Sequence, residues 1–163
     1  MKFIRLLLFP AAGFLLLCLP GCRKAARAFD PAVDRQLVEK AIRSSIGWAK
    51  NKDTKLLYSV IANDKDYLEV DPEDNVVRGF DEFRKAEKIW LDPAFRAVKY
   101  EIRDLKIGFS QSGEVAWFYC VLDDINEWKG RPASWENTRW TGVLEKRSRW
   151  VIVQMHFSFA ATE

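Results

Sequence analysis

The chain has 163 residues, of which 48% are apolar, 30% charged and 13% aromatic. That is enough for one domain with a real core, and it excludes a disordered chain and a coiled coil. The formal charge of +3 comes from 26 cations interspersed among 23 anions, so there is no basic face and no nucleic-acid partner is expected.

In chain order, Lys2 and Arg5 form a short positive region, Leu6 to Leu19 is apolar, and Leu19-Pro20-Gly21-Cys22 follows. This run resembles a bacterial lipoprotein signal. The resemblance implies a signal peptide over 1–21, cut after Gly21, with the Cys22 thiol lipidated. A tether over 22–29 and a folded domain over 30–160 would follow. The protein would then sit in the bacterial cell envelope, anchored to the membrane through Cys22 and facing the periplasm or exterior. Two other readings stay open. Phe3 to Gly21 is about one membrane span, and ordinary cleaved secretion fits as well. Without Lys2 and Arg5 the count is 24 cations against 23 anions, close to neutral. Of the cysteines, only Cys120 belongs to the folded part, so no internal disulfide is expected and Cys120 reads as a small buried apolar residue.

Asp30-Pro31 reads as a helix start, with a carboxylate cap and proline in the first turn. Val33, Leu37, Ala41, Ser44 and Trp48 recur at helical spacing, which predicts an amphipathic helix of about five turns. Asp53 or Thr54 caps a short second helix through Leu56, Leu57, Val60 and Ile61. Asp66 to Val70 reads as a strand and 71–75 as a turn. Gly79 precedes a third helix carrying Phe83, Ala86 and Trp90, which stops at Asp92-Pro93.

Beyond it everything reads as β. Val98, Tyr100 and Ile102 alternate with charged residues, then the apolar set changes phase to Leu105, Ile107 and Phe109. That slip predicts a β-bulge near Asp104. Hairpins follow at 110–113 and at Arg147-Ser148. The final strand sets Trp150, Ile152, Gln154, His156 and Ser158 on one face and Val151, Val153, Met155 and Phe157 on the other.

Glycine-rich phosphate loops, a Gly-x-Ser-x-Gly elbow and Cys-x-x-Cys are absent from the sequence, and His156 is its only histidine, which excludes a multi-histidine metal site. Asp123-Asp124 ends an apolar strand. The two point to opposite faces and cannot act as a dyad, but one of them facing inward would have a raised pKa and could serve as a general base. The plain alternative is a pair of solvated strand-end acids.

The stretch Trp135-Glu136-Asn137-Thr138-Arg139-Trp140-Thr141-Gly142, leading into Trp150-Val151-Ile152-Val153-Gln154-Met155-His156-Phe157-Ser158, resembles the SnoaL-like branch of the nuclear transport factor 2-like superfamily. Ala116-Trp117 after the Gly113 turn and the helix–helix–strand–helix–sheet order fit the same resemblance. It implies an α+β cone, a curved antiparallel sheet wrapped around the long N-terminal helix, with a pocket at its open end. It also implies a homodimer and no cofactor. Such folds host isomerases, dehydratases and pure binders, so activity does not follow from fold.

Glu136-Asn137-Thr138-Arg139 is also similar to the Glu-x-Thr-Arg stretch of the calmodulin-dependent kinase association domain, where the arginine lines an anion pocket. That comparison implies a pocket with Arg139 on its wall and with Leu122 and Phe157 where other pocket arginines would stand, hence a mostly apolar one suited to a small apolar or carboxylate-bearing ligand; Tyr58, Trp90 and Met155 are further candidates for the lining. The alternative for Arg139 is an exposed pair with Glu136 or a cross-strand acid. With Phe157 inward, His156 would face away beside Gln154 and Trp150, as part of a dimer face; a catalytic histidine is the other reading. Isomerase chemistry needs an inward carboxylate and a phenol. Asp66, Asp123 and Tyr119 are candidates by residue type, with Tyr58 and Tyr67 as alternative phenols. A third possibility is a purely structural dimer whose pocket is filled by its own side chains.

Overall fold

In the computed structural model, which describes residues 28–72 and 74–161, the first element is helix α1, Pro31–Gly47. Asp30 caps it by accepting from the backbone N–H of Ala32 (3.0 Å) and Val33 (3.2 Å), and Asp34 reaches back to accept from Asp30 N–H at 2.8 Å. Val38, Ala41, Ile42 and Ser45 form its buried face. A 3₁₀ turn over Trp48–Asn51 leads to α2, Thr54–Val60, capped by Asp53. The strands β1 (Leu68–Val70) and β2 (Val76–Arg78) form a small hairpin, the second of them inside a stretch that the sequence left without structure. The expected third helix is two short turns, α3 (Phe80–Phe83) and α4 (Glu87–Trp90), joined by a 3₁₀ segment.

Five further strands follow: β3 (Phe95–Phe109), β4 (Val115–Trp128), β5 (Arg131–Pro132), β6 (Trp135–Lys146) and β7 (Trp150–Ser158). The sheet runs β2-β1-β7-β6-β4-β3, with β5 beside β4. The strands pair antiparallel, as expected, except that β1 lies parallel to β7 and makes the sheet mixed. β1 and β7 lie far apart in sequence and are not joined by a hairpin, so no tight turn forces them antiparallel.

Bulges bend the sheet around α1. Asp104 (φ 55°) sits in the register shift between Arg103 and Lys106, at the expected place. Asn137 (φ 52°) marks a second shift, in β6 against β4. A third lies in β7, where Val143 pairs with Gln154 but Leu144 pairs with Ile152, leaving Val153 as the extra residue. Each bulge adds local twist, and together they close the sheet into a trough.

The Val153 bulge overturns the expected face of Trp150. Trp150 and Ile152 point inward, and only beyond the bulge do Met155 and Phe157 take over the inner side. Trp150 is 4% exposed, and its indole N–H donates to Asp34 Oδ1 at 2.8 Å. Lys146 Nζ donates to the other oxygen of Asp34 at 3.0 Å. Burial pushes the Asp34 carboxyl up, but the bonds from Asp30 N–H, Trp150 and Lys146 outweigh it and hold the pKa at about 2. The link pins α1 to the closing hairpin. Cys120 is buried in the core beside Phe118, Leu122 and Trp140, whose ring stacks on Phe157 at 5.4 Å.

Candidate functional site

Between α1, the α3–α4 segment and the inner face of the sheet lies a cavity of about 370 Å³. Its walls are mostly aromatic and aliphatic: Trp48, Phe83, Trp90, Trp135, Met155 and Phe157 among others. Its polar side chains are mainly carboxyls and carboxamides. Glu69, Asp71 and Asn75 come from one wall and Asp124 and Asn126 from the other, with Glu82 also on the lining. No lysine, arginine or histidine of the described residues lines it.

Strand periodicity builds the first wall. Tyr67, Glu69 and Asp71 alternate along and just beyond β1, so all three share one face. Tyr67 is 1% exposed, and its phenol donates to Glu69 Oε2 at 2.5 Å. The Tyr67 ring rests edge-on against Phe83, 5.1 Å between centroids. Burial raises the Glu69 pKa to about 8; the Tyr67 bond opposes the rise, while the charge and hydrogen bond of Asp71 add to it. Asp71 is raised by burial too, held back by donors from Asn75 and Glu69. Burial and each other's charge thus disfavour ionising both carboxyls together.

The second wall is the inner face of β4, where Ala116, Phe118, Cys120, Leu122, Asp124 and Asn126 alternate inward. Asn126 Nδ2 donates to Asp124 Oδ2 at 2.8 Å, and burial raises the Asp124 pKa. In the sheet order β7 and β6 lie between β1 and β4, so the two acidic groups come from separate walls of the trough.

The residues singled out from the sequence divide sharply. Trp90, Met155 and Phe157 line the cavity. Arg139 does not: odd-numbered residues after the Asn137 bulge face outward, so Arg139 is exposed and its guanidinium donates to the Phe159 carbonyl. The expected anion pocket is thereby corrected to an acid-lined one, which repels a carboxylate-bearing ligand. Tyr58 lies outside the lining, edge-on to Phe80 at 5.2 Å with Arg84 over its ring; burial and Glu87 raise its phenol to about 12.

None of the three catalytic candidates reaches the cavity. The Asp66 side chain is 81% exposed beside Lys65. Asp123 faces outward, accepting from Asn137 N–H (2.7 Å) and Arg103 (2.9 Å), the first of which contributes most to lowering its pKa. Tyr119 is 40% exposed on the outer face. Gln154 lines an outer groove with Trp117 and Tyr119, and half-buried His156 pairs across the sheet with Val70 and Thr141. Trp117 is 51% exposed.

Glu69, Asp71 and Asn126 are not among the residues singled out from the sequence; in a strand of three residues nothing marks Glu69 as the buried one. Asp124 was half visible, as the inward partner of the Asp123-Asp124 pair. Among the described residues, no group of three or more His, Cys, Asp or Glu side chains is arranged to hold a metal ion. The lipidation reading at Cys22 and the tether up to residue 27 lie outside the described residues.

Comparison with known proteins agrees with this geometry at the level of fold. The SnoaL-like domain family matches residues 38–162. No curated protein matches the sequence. Among solved structures, a candidate dehydratase of the NTF2-like family from Streptomyces avermitilis superposes with a TM-score of 0.68 at 17% identity, covering 82% of this chain and 100% of the other. A candidate scytalone dehydratase from Novosphingobium aromaticivorans gives 0.67 at 13% identity, covering 81% and 87%. An NTF2-like protein of unknown function in nutrient uptake from Rhodospirillum rubrum gives 0.62 at 15% identity, covering 78% and 99%.

Proposed function

The chain belongs to the SnoaL-like domain family, and on that premise we propose that it is a small-molecule enzyme of the isomerase or dehydratase kind. The observation that carries this reading is the Glu69–Asp71 carboxyl pair, backed by Tyr67 and set into an apolar cavity. A protein that only needed to enclose an apolar ligand would gain nothing from burying two acids.

The pair supplies an acid and a base at once. The unprotonated carboxylate takes a proton from a carbon next to a carbonyl. In an elimination, the protonated partner gives its proton to the departing hydroxyl, so C–H and C–O bonds break, a C=C bond forms and water leaves. In an isomerisation, the proton returns to a different carbon. Proton transfer of this kind is worth about 10²–10⁴-fold in rate. The aromatic walls exclude water and keep the carboxyl pKa near the working pH. Support also comes from the dehydratase descriptions of two structural neighbours, whose likeness to this chain is one of fold.

The test is a panel of β-hydroxy and β,γ-unsaturated ketones incubated with the protein in D₂O and followed by NMR. We expect deuterium incorporation or loss of water with at least one, slowed about 100-fold or more by Glu69→Gln and by Asp71→Asn. Turnover untouched by either change would overturn the reading. So would a Glu69 carboxyl carbon titrating in the ordinary glutamate range.

Delivery to the envelope through Cys22 belongs to the same proposal. Cys22→Ser should abolish lipid labelling and release the protein from the membrane fraction; unchanged processing would remove the anchor. A homodimer is proposed through the outer sheet face, where half-exposed Trp117 and Tyr119 need a cover. Sedimentation of a single monomeric species would rule it out.

A further inference from the structure

The hydrogen-bond inventory of the second wall has a gap. Asn126 is 7% exposed, and its neighbours absorb nearly everything it offers: its N–H donates to Ser134 Oγ at 3.1 Å, its carbonyl accepts from Ala133 N–H at 2.9 Å, and its Nδ2 donates to Asp124. Its Oδ1 is buried with no partner. Turning the amide over does not repair this, since it would set Oδ1 against the Asp124 carboxylate, acceptor against acceptor. A buried acceptor without a donor costs stability, and native proteins keep few of them. The residue that carries it, Asn126, lines the cavity next to Asp124.

We propose that the Asp124–Asn126 corner of the cavity, with the Trp135 ring beside it, is a subsite for a protonated amine, so that the ligand is an organic ammonium with an apolar body. The proposal rests on the cavity being the working site, as above, and adds the class of molecule it takes. An ammonium brings the donors that the corner lacks, one for Asn126 Oδ1 and one for Asp124, together with a charge to balance that carboxylate. Trp135 pairs with Asp124 in the β4–β6 register, and its ring lies 5.4 Å from that of Phe157, a wall whose π faces favour a cation. Glu69, Asp71 and Glu82 make the rest of the lining negative or neutral, and no cation of the described residues lines it to compete. The apolar body would lie against Trp48, Trp90 and Phe83, with its reactive carbon toward Glu69 and Asp71. A neutral polyol or amide is the competing occupant, since it too brings donors, but it would leave Asp124 uncompensated.

Three probes on the same phenylpropyl skeleton separate these possibilities: 3-phenylpropylammonium, 3-phenylpropanol and 3-phenylpropanoate, titrated into the full chain at neutral pH and followed by tryptophan fluorescence and calorimetry. The expected order is ammonium tightest, by about tenfold or more over the alcohol, with the carboxylate not binding. Asp124→Asn should erase that preference and leave the alcohol unaffected. Asn126→Leu should weaken the ammonium as well, which guards against a folding defect in either variant alone; circular dichroism checks both. Glu69→Gln should keep the preference intact while losing turnover, so failure of the acid–base reading and failure of the amine subsite give different results. Equal affinity for ammonium and alcohol, a preference that survives Asp124→Asn, or no binding of the ammonium would each overturn the proposal.

Discussion

Asp34 and Glu69 are both buried carboxyls, and their neighbours drive them in opposite directions. Asp34 meets three donors, one of them the ammonium of Lys146, whose side chain is 12% exposed. Glu69 meets a phenol and another acid. Asp34 is therefore a structural ion and Glu69 a proton carrier, although their ordinary pKa values, 3.8 and 4.5, lie close together. Asp34→Asn strands the Lys146 ammonium in a site with little water, and we expect a loss of about 3 kcal/mol, read from the urea midpoint. Adding Lys146→Met removes the stranded charge and should recover part of that loss in a double-mutant cycle. A single variant within about 0.5 kcal/mol of wild type would mean that the hairpin is not held by this bond.

At the scale of elements, two glycines on the sheet predict opposite outcomes for the same substitution. A Cβ at Gly142 on β6 would lie 2.5 Å from the buried Phe118 ring and 2.7 Å from the backbone oxygen of Gln154. Neither neighbour can give way, so Gly142→Ala should cost about 1–3 kcal/mol. At Gly108 on β3 the clash is with the Trp117 indole at 2.4 Å, but that side chain is 51% exposed and free to swing. Gly108→Ala should cost less than about 1 kcal/mol. Thermal melts of the two variants decide it, and equal losses would mean that Trp117 is fixed in place. The same sheet explains what the sequence could and could not reveal. The Asp30 cap, the β3 phase change at Asp104 and the turn at Arg147-Ser148 are local signals, and each appears where the residues put it. The bulge at Val153 leaves no such mark, because Val151 to Val153 is apolar on both faces and alternation carries no phase there. Reading straight through it reversed Trp150, and reading β6 from the kinase comparison placed Arg139 on the wrong side of Asn137. β1 falls inside the strand expected over 66–70, but three residues are too short to fix which face is buried, and its inward face carries acids, against the apolar rule.

For the whole molecule, that conflict between site and core fixes how stability responds to pH. The folded state holds the Asp34 proton less tightly than the unfolded chain does, with a pKa of about 2 against the usual 3.8. Its contribution, about 2 kcal/mol, is present above pH 4 and lost as pH falls through 2. Asp64 and Asp123, both lowered, first by the Arg147 bond and by the Asn137 N–H respectively, act in the same sense. Glu69 has the opposite sign. Its folded pKa of about 8 against the usual 4.5 means that the native state carries the extra proton between those values, so unfolding becomes easier as pH rises. Asp71 and Asp124, raised by burial, add to that fall. The melting temperature should accordingly peak near pH 4–5 and decline towards pH 8, where Glu69 alone has withdrawn about 4 kcal/mol. Glu69→Gln, which cannot ionise, should flatten most of the alkaline limb and leave the acid limb unchanged. Calorimetry across pH 3–9 on both proteins reads this directly. A wild-type optimum near neutrality would mean that Glu69 ionises as easily in the fold as out of it, and a carboxyl of that kind has no reason to be buried opposite Asp124 in an apolar cavity.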